Sequence, residues 1–374
     1  MKITRLETFL VRPRSLLLKV HTDEGLVGLG EPILEGRART CAAAVEELAE
    51  YLVGKDPTRV VHHWQAMYRH SFYRGGPILT SAVSGVEQAL WDLAGKAAGL
   101  PVHRLLGGPV RDRIRMYAGA GGATPEEAAR SAAERKAQGF TAIKTGVAGG
   151  RPARLVESAA FVRRVVETFA AMRGAVGDEI DIAIDFHGAV PPATSMLLIK
   201  ALEPYQPMFV EEPVQCQNVD VLADIARKTH LPIATGERLY TKWAFREVLE
   251  KGAAAVLQPD LSHAGGIFEC RLIAGMAEAY YASVAPHCPL GPIALAASLQ
   301  LDAATPNFLI QEHVTLGEGI LREPFRVRDG YVDVPQRPGL GIELDEEALA
   351  ERISHTDWRT PEVYAPDDGS VADW

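Results

Sequence analysis

Residues 124–144, TPEEAARSAAERKAQGFTAIK, contain the signals that decide the fold. Thr124 can cap a helix through its hydroxyl, Pro125 suits the first helical position, and Glu127 completes a capping box. Gly139 is typical of the residue that ends a helix. The short apolar run at 141–144 follows directly and predicts a β-strand. The segment is therefore one helix–strand repeat of the kind that builds a parallel sheet.

The same alternation of strand and helix continues from residue 113 to residue 321. Eight strand candidates can be counted, at 114–117, 141–144, 180–184, 208–210, 232–234, 255–258, 282–285 and 308–311. Eight consecutive repeats of this kind predict an α/β fold with a closed (β/α)₈-type barrel.

Two further parts flank the predicted barrel. Residues 1–112 begin with short alternating runs broken at Thr22-Asp23-Glu24-Gly25, and helical periodicity follows at 39–52, 57–68 and 78–98. This pattern predicts an α+β capping domain with an antiparallel meander and three helices. Residues 322–374 lose the strand–helix rhythm, and we expect this C-terminal segment to pack back on the cap.

The composition excludes several classes of protein before any site is considered. The 39 Lys and Arg against 48 Asp and Glu give a net charge of −9, and no basic run could follow a nucleic-acid backbone. No apolar run approaches a membrane span, and residues 1–14 lack the apolar core of a signal peptide. The four cysteines, Cys41, Cys216, Cys270 and Cys288, are far apart, which is typical of reduced thiols. We therefore expect a cytoplasmic enzyme without a nucleic-acid or membrane partner.

Six ionisable residues follow the strand candidates at a nearly constant spacing. These residues are Asp185, Glu211, Glu237, Asp260, His287 and Glu312. Successive members are 26, 26, 23, 27 and 25 positions apart. One such residue alone is most simply a helix N-cap or a solvated loop carboxylate. Six of them, each about one repeat apart, are better explained by convergence at the carboxyl ends of the strands, where barrel enzymes carry their chemistry. We call this end of the barrel its mouth.

Three of the six residues predict a metal site. Asp185, Glu211 and Glu237 would lie on neighbouring strands and would repel one another unless a cation lay between them. A set of oxygen ligands suits Mg²⁺ better than zinc, so Mg²⁺ is the expected cofactor.

Two histidines complete the predicted site. His187 lies two residues beyond Asp185, so in a strand-like segment both side chains could face the same side. Asp260 would lie beside His287, where a carboxylate fixes the imidazole tautomer and raises its basicity. Either histidine alone is more simply structural, but beside a predicted metal cluster the pair indicates acid–base catalysis.

Longer motifs occur along residues 1–345. They are Gly30-Glu31-Pro32, Tyr73-Arg74-Gly75-Gly76-Pro77, Ala89-Leu90-Trp91-Asp92, Asp185-Phe186-His187-Gly188, Glu211-Glu212-Pro213, Gly236-Glu237-Arg238, QPDLSHAGG at 258–266 and APHCPLGP at 285–292. Together with the six mouth residues, these motifs resemble the mandelate-racemase branch of the enolase superfamily, and within it the galactonate dehydratase group. The resemblance also implies the modified barrel with a capping domain.

The resemblance implies a Mg²⁺-dependent loss of water from a sugar acid, with D-galactonate as the first candidate and a 2-keto-3-deoxy acid as the product. Enolase-superfamily sites use a Lys or His base with Mg²⁺ to stabilise an enediolate. On this scheme His287, backed by Asp260, removes the C2 proton and His187 protonates the departing C3 hydroxyl. Glu312 hydrogen-bonds the enediolate as a neutral acid, which requires a raised pKa.

The substrate contacts are predicted from the same resemblance. Lys144 stands alone where the racemase and lactonizing relatives have Lys-x-Lys, so we expect it to support the substrate carboxylate rather than act as a base. Tyr73 and Arg74 on a cap loop are expected to contact the distal hydroxyls, and Arg238 is a further expected contact. The loops at 147–154 and 313–317 depart from the pattern of the group, which leaves gluconate, another hexonate or a pentonate open as substrates.

Two other interpretations remain open at this point. A racemase or epimerase would use the same metal and enediolate without losing hydroxide, and a metal-dependent binding module would show no turnover. His263, in the Gly-rich segment after the sixth strand, is expected to orient loops near the site. The expected partner is a small acid sugar, and a homo-oligomer is expected.

Overall fold

The computed structural model describes residues 1–147, 159–354, 358–365 and 368–373. The cap begins with three antiparallel strands in the order β1 (Ile3–Val11), β2 (Ser15–Thr22) and β3 (Val27–Gly30). Its helices are α1 (Ala38–Leu52), α2 (Val60–Arg69), α3 (Pro77–Ala98) and the short α4 (Val102–Leu105). The predicted meander and the three predicted cap helices are therefore confirmed.

Strand β3 lies directly against helix α3 because glycine occupies the points of closest approach. A Cβ on Gly28 would collide with the carbonyl oxygen of Ala89, and one on Gly30 would collide with that of Gly85. Any larger residue at these positions would push the strand off the helix. The glycine of the Gly-Glu-Pro motif thus serves the packing of the cap.

The barrel follows after strand β4 (Arg113–Arg115). Its elements are β5 (Ala118–Gly119), α5 (Pro125–Ala137), β6 (Ala142–Gly146), α6 (Ala159–Val176), β7 (Asp181–Asp185), α7 (Pro192–Leu202), β8 (Val210–Glu211), α8 (Val219–Arg227), β9 (Ile233–Thr235), α9 (Thr241–Glu250), β10 (Val256–Leu257), α10 (Gly266–Ala279), β11 (Ser283–Val284) and α11 (Pro292–Ala303). A short 3₁₀ helix, Glu203–Tyr205, follows α7.

The seven strands β5 to β11 form one parallel sheet in sequence order. Residues 308–311 close it into a barrel, because the Leu309 amide donates to the Val284 carbonyl at 2.8 Å and the Tyr117 amide donates to the Gln311 carbonyl at 3.2 Å. This segment fills the place of the eighth predicted strand. The predicted (β/α)₈-type barrel with an α+β cap is confirmed.

The first barrel strand lies later in the chain than predicted. Part of the predicted strand at 114–117 forms β4, which pairs antiparallel with β12 (Tyr331–Asp333) outside the barrel sheet. Ile114, Met116 and Ala118 are all buried in one apolar cluster, so the apolar alternation continues across the boundary. The pattern therefore contains no mark of the point where the chain passes from one sheet to the next.

A layer of apolar side chains fills the barrel below its mouth. Each strand position contributes one buried residue, and together they are Tyr117, Ala142, Ala183, Phe209, Ala234, Val256, Ala285 and Ile310. Because side chains alternate along a strand, the residue two positions further on faces the same interior. Those residues include Lys144, Asp185, Glu211, His287 and Glu312. The alternation therefore brings these five side chains into one layer at the mouth.

The C-terminal segment contacts the first strand of the cap. It contains helix α12 (Glu346–Arg352). The Arg12 amide donates to the Arg352 carbonyl at 2.9 Å, and the Ser354 amide donates to the Leu10 carbonyl at 2.8 Å. The boundaries at 112/113 and 321/322 stay a prediction.

Two buried glutamates of the cap bind the amino termini of barrel helices. Glu31 accepts hydrogen bonds from the amides of Gly291 and Ala294 at the start of α11, at 2.8 and 3.0 Å. Glu87 accepts bonds from the amides of Ile267 and Phe268 at the start of α10, at 2.7 and 2.8 Å. Neither helix has a side-chain cap of its own at its N-cap glycine. The cap therefore supplies the acceptors that these helix ends require.

Within the described ranges, no helix has both the length and the apolar character needed to cross a membrane.

The pKa of Glu87 gives a test of this arrangement. Burial raises it to about 8 from an ordinary value of 4.5, although three N–H donors oppose the shift. The unfolded chain therefore loses this proton first, and the stability that Glu87 contributes is present below pH 4.5 and is lost as the pH rises through about 8. As the pH rises from 4.5 to about 8, we expect the free energy of unfolding of the wild type to fall relative to that of Glu87→Gln.

Urea unfolding of both proteins at a series of pH values measures this difference. Glu134→Gln, at an exposed glutamate of α5, is the control and should follow the wild type at every pH. Parallel pH curves for the wild type and Glu87→Gln would contradict the prediction.

Candidate active site

Three carboxylates converge at the mouth of the barrel. One oxygen each from Asp185, Glu211 and Glu237 can be chosen so that all three lie within 4.8 Å of one another. Asp185 ends β7 and Glu211 ends β8, in register with each other. Their side chains are 14% and 0% exposed, and that of Glu237 is 9% exposed.

Glu237 reaches this cluster by a different path from the other two. It lies one position beyond the interior-facing register, after Gly236, which has a φ of 150°. A Cβ on Gly236 would lie 2.7 Å from the backbone of Gln258. The glycine therefore lets the chain turn tightly against β10 and present Glu237 to the mouth.

The charges of the cluster fit a divalent cation. Burial and the negative charge of Asp185 raise the pKa of Glu211 well above its usual value, and burial together with Glu237 raises that of Asp185. Buried carboxylates that resist ionisation in this way are stabilised by a cation among them. The donor set contains only carboxylate oxygens, which suits Mg²⁺.

Lys144 lies among these carboxylates. Its Nζ is 2.8 Å from Glu211, 2.7 Å from Glu312 and 3.9 Å from Asp185. Burial opposes the charge of the ammonium, but Glu211 and Glu312 outweigh it and raise the pKa of Lys144 well above its ordinary value. Lys144 is therefore a fixed positive charge in this arrangement and has no basic lone pair.

The expectation of a raised pKa for Glu312 is wrong for this arrangement. Burial does favour its neutral form, but Lys144 and His287 outweigh burial and lower the pKa of Glu312 to about 2. The Cys288 amide also donates to the Glu312 carboxylate at 2.9 Å. The spacing along the sequence predicts that the side chains at the strand ends converge. It does not show which positively charged side chains face Glu312, and these decide the direction of its pKa shift.

Asp260 and His287 form a hydrogen-bonded pair. The Nδ1 atom of His287 lies 2.9 Å from Oδ2 of Asp260, and its Nε2 lies 3.2 Å from Glu237 and 3.7 Å from Glu312. Burial opposes a charge on the imidazole, but Glu237, Glu312 and Asp260 raise the pKa of His287 well above its ordinary value. A carboxylate acceptor at Nδ1 fixes the ring so that Nε2 faces the carboxylate cluster.

His187 lies beside Asp185, but not in a strand. β7 ends at Asp185, and His187 has a φ of 54° in the left-handed region. Its amide donates to Oδ1 of Asp185 at 2.6 Å. Positive φ at a residue other than glycine is strained and is frequent at functional sites. The expectation of a strand-like segment here is therefore wrong, since Gly188 continues the turn with a φ of 63°.

Arg238 has protein partners for its guanidinium group. Its Nη2 donates to Glu212, and its Nη1 donates to Gln215 at 2.7 Å. A Cβ on Gly188 would collide with the same guanidinium. This pairing of the Glu-Glu-Pro and Gly-Glu-Arg motifs holds the ends of β8 and β9 together, and the predicted substrate contact of Arg238 stays a prediction.

Tyr73 and Arg74 do not lie against the carboxylate cluster. The Tyr73 side chain is 83% exposed, and the Arg74 guanidinium lies 6.0 Å from the ring centre of Tyr68. Both residues line a cavity of about 350 Å³ whose walls all come from the cap. Their predicted role as substrate contacts stays a prediction.

Tyr117 belongs to the apolar layer below the mouth, and the sequence pattern did not identify its contact with the charged residues above it. Its ring centre lies 5.5 Å from Nζ of Lys144, and burial and the charge of Glu312 raise its pKa well above the ordinary value. An aromatic residue at the end of an apolar run is read as part of the run. The sequence did offer one signal. Gly119 lies two residues after Tyr117 and has no side chain, so it leaves space above the Tyr117 ring at the mouth.

The structure describes only one of the two loops that depart from the pattern of the galactonate dehydratase group in full. Residues 148–154 lie outside the described residues. In the loop at 313–317, His313 stacks on Phe140 with ring centres 5.8 Å apart, and burial lowers the pKa of the His313 imidazole.

This arrangement can perform proton transfer next to a stabilised negative charge. A carboxylate cluster fit for a divalent cation lies beside a histidine whose tautomer is fixed by a carboxylate. An ammonium group faces the same space. Such a site suits removal of a proton α to a carboxylate, because the resulting charge can be shared.

Comparisons with known proteins agree with this geometry. The chain matches the family description "Mandelate racemase / muconate lactonizing enzyme, N-terminal domain" over residues 8–107 and "Enolase C-terminal domain-like" over residues 127–348. It is 49% identical to the D-galactonate dehydratase of Ralstonia nicotianae and 47% identical to that of Pectobacterium atrosepticum, with all of this chain and all of each relative covered.

Solved structures give the same result. An enolase of Agrobacterium radiobacter, described as a candidate galactarate dehydratase with Na and L-malate bound, is 35% identical with a TM-score of 0.92 over all of both chains. A candidate dehydratase of Mesorhizobium loti is 34% identical with a TM-score of 0.90, over 95% of this chain and 99% of that one. The chain therefore belongs to the mandelate racemase/muconate lactonizing enzyme family of the enolase superfamily, as its motifs predict.

Proposed function

We propose that this protein dehydrates a sugar acid, D-galactonate first among candidates, to the 2-keto-3-deoxy acid with Mg²⁺ as cofactor. The observation that carries the proposal is the Asp260–His287 hydrogen bond of 2.9 Å directly beside the three-carboxylate cluster. The full-length relatives named D-galactonate dehydratase agree with the predicted reaction class.

Asp185, Glu211 and Glu237 would hold the Mg²⁺ ion. When bound, it would supply Lewis-acid stabilisation of the negative charge that develops on the substrate carboxylate, worth several kcal/mol. Lys144 faces the same space and would support that carboxylate with its ammonium charge. Glu312 would hold Lys144 in place, because its carboxylate accepts from Nζ at 2.7 Å.

His287 would remove the C2 proton at its Nε2 atom. Its Nδ1–H is committed to Asp260, so Nε2 is the atom available to the substrate. Glu237 and Glu312 raise the pKa of this imidazole, so Nε2 would act as a base once a cation among the carboxylates offsets their negative charge. His187 would then protonate the C3 hydroxyl as it leaves, and each such transfer typically contributes ~10²–10⁴-fold. The stereochemistry of the substrate decides which histidine is base and which is acid.

The further properties of the protein are proposed on the same basis. We infer a cytoplasmic homo-oligomer that acts on a small acid sugar and has no nucleic-acid or membrane partner. A racemase or epimerase of the same family is the alternative activity, and it would return the proton to the substrate without forming a keto acid.

The metal site is tested by Glu211→Gln. The substitution removes one negative charge from the candidate metal site. Because mutation of a residue that only contacts a metal ligand already lowers metal affinity by ~10–100-fold, we expect Mg²⁺ affinity to fall by ~100-fold or more. Calorimetric titration with Mg²⁺ measures this directly. Glu269→Gln is the matched control, because Glu269 is equally buried but pairs with Lys242 outside the mouth. Equal Mg²⁺ affinity in the wild type and Glu211→Gln would contradict the site.

The reaction is tested with a library of sugar acids in the presence of Mg²⁺, using semicarbazide to detect 2-keto acids. We expect one substrate to dominate, with D-galactonate ahead of gluconate and other hexonates or pentonates. A site that hydrogen-bonds the hydroxyls should discriminate C4 epimers by ~10⁴ in kcat/KM, because a mismatched sugar leaves buried polar groups unpaired. Comparable low activity on several epimers would refute the specificity, and isomerisation without keto acid would favour the racemase.

The separate roles of the histidines are tested by exchange of the C2 proton with deuterium from the solvent. With His287→Asn, we expect both exchange and dehydration to stop. With His187→Asn, exchange should continue while dehydration fails, because the intermediate forms but hydroxide cannot leave. The reverse pattern would make His187 the base and His287 the acid. Equal loss of deuterium exchange in both variants would contradict separate roles for the two histidines.

A further inference from the structure

The cap holds the segment of the barrel that follows Asp260. Helix α3 presents Ser81, Ser84 and Gln88 at three- and four-residue spacing, and all three are fully buried. The Gly265 amide donates to Oγ of Ser84 at 3.0 Å. Nε2 of Gln88 donates to the Leu261 carbonyl and to Oγ of Ser262, both at 3.1 Å. The position of residues 261–265 therefore depends on the docking of the cap.

His263 lies in the middle of this contact, with a side chain that is 5% exposed. Its Nδ1 is 3.0 Å from Oγ of Ser81. The single hydroxyl hydrogen of Ser81 is directed at the Pro77 carbonyl, 2.6 Å away. Ser81 must therefore accept from His263, which makes Nδ1 the donor and fixes the orientation of the ring.

The opposite edge of the ring faces two carboxylates. Nε2 of His263 lies 3.8 Å from Oδ2 of Asp260 and 3.8 Å from Glu35 of the cap. Oδ2 is also the atom that accepts from Nδ1 of His287, while Oδ1 accepts from the Ser262 amide at 2.7 Å. The same Oδ2 atom thus accepts a hydrogen bond from His287 on the catalytic side and faces His263 on the cap side at 3.8 Å. This second contact is one of charge and is attractive when Nε2 of His263 carries a proton as well as Nδ1.

We propose that His263 is a positioning residue that holds the Asp260 carboxylate in the orientation required by His287. Through Ser81 and Glu35, it makes that orientation depend on the docked position of the cap. The inference rests on the proposed roles of Asp260 and His287. His263 acts through Asp260.

The first test is a double-mutant cycle with His263→Gln and Asp260→Asn. We expect His263→Gln to lower kcat by roughly 10–100-fold, as outer partners of a catalytic group do, while KM and Mg²⁺ affinity stay unchanged. In the Asp260→Asn background, the same change should have no further effect, since the group through which it acts is already altered. An undiminished effect in that background would overturn the proposal.

Two variants separate positioning from general damage to the fold. Ser81→Ala removes the acceptor for Nδ1 together with the hydrogen bond to the Pro77 carbonyl, and it should lower kcat in the same direction by a smaller factor. His103→Gln is the matched control, because His103 is fully buried and bonds to Gln300 away from the mouth. It should leave kcat unchanged. A loss of kcat in His103→Gln as large as in Ser81→Ala would point to general damage and would overturn the proposal.

A second readout does not depend on turnover. In protein with ¹⁵N-labelled histidine, the Nδ1–H proton of His287 is identified by its loss in His287→Asn. We expect this resonance to shift in His263→Gln and Ser81→Ala and to stay unchanged in His103→Gln. If no sugar acid is converted by the wild type, the proposed function fails and this resonance alone decides the inference. An unchanged resonance in both test variants would overturn it.

Discussion

Negative charge buried at the mouth of the barrel is the constraint on which the rest of the structure depends. Asp185, Glu211, Glu237 and Glu312 have side chains that are at most 14% exposed. Carboxylates in such surroundings remain ionised only when positive charge lies close to them. Lys144 supplies one ammonium group, which contacts both Glu211 and Glu312. His287 and the Cys288 amide also face Glu312 and help to lower its pKa, whereas burial and the charge of Asp185 raise the pKa of Glu211. The remaining imbalance is what a divalent cation would neutralise.

The cap is part of this site, although the three carboxylates that could hold a metal ion all lie on the barrel. Glu31 and Glu87 satisfy the amino termini of α11 and α10, which follow the strands that carry His287 and Asp260. A helix end without a partner in a buried position is costly, so cap and barrel are mutually dependent. The contact between the two parts therefore explains the Gly-Glu-Pro motif, which contains Glu31, and the helix α3, which contains Glu87 and the Ala-Leu-Trp-Asp motif.

The two histidines have different surroundings, which suits different roles. The His287 side chain is 13% exposed and Asp260 fixes its ring, whereas His187 has a left-handed backbone conformation and its amide donates to Asp185. Pairs of titratable groups in unlike environments are typical of acid and base assignments. Both histidines depend on Asp260 or Asp185, so a change in the carboxylates would alter the proton chemistry as well as the metal site.

Much of the site was determined by the sequence alone. The period of two along a strand links Ala183 to Asp185 and Ala285 to His287, so local alternation already placed these side chains at the mouth. The near-constant spacing of the repeats then predicted which strand ends meet. The repeat also gave the barrel, because each helix–strand unit carries its own caps and turn residues.

Only the tertiary structure decided how the charges are paired. Lys144 faces Glu312 because the barrel closes between the first and last strands, and Arg238 faces Glu212 because two neighbouring strands end side by side. Such contacts join residues far apart in sequence, so no local pattern predicts them. The same reason explains the low pKa of Glu312, the exposure of Tyr73 and the place of His263 between cap and barrel. Local periodicity sets the direction of a side chain, whereas the packing of the whole chain sets which charges lie opposite it.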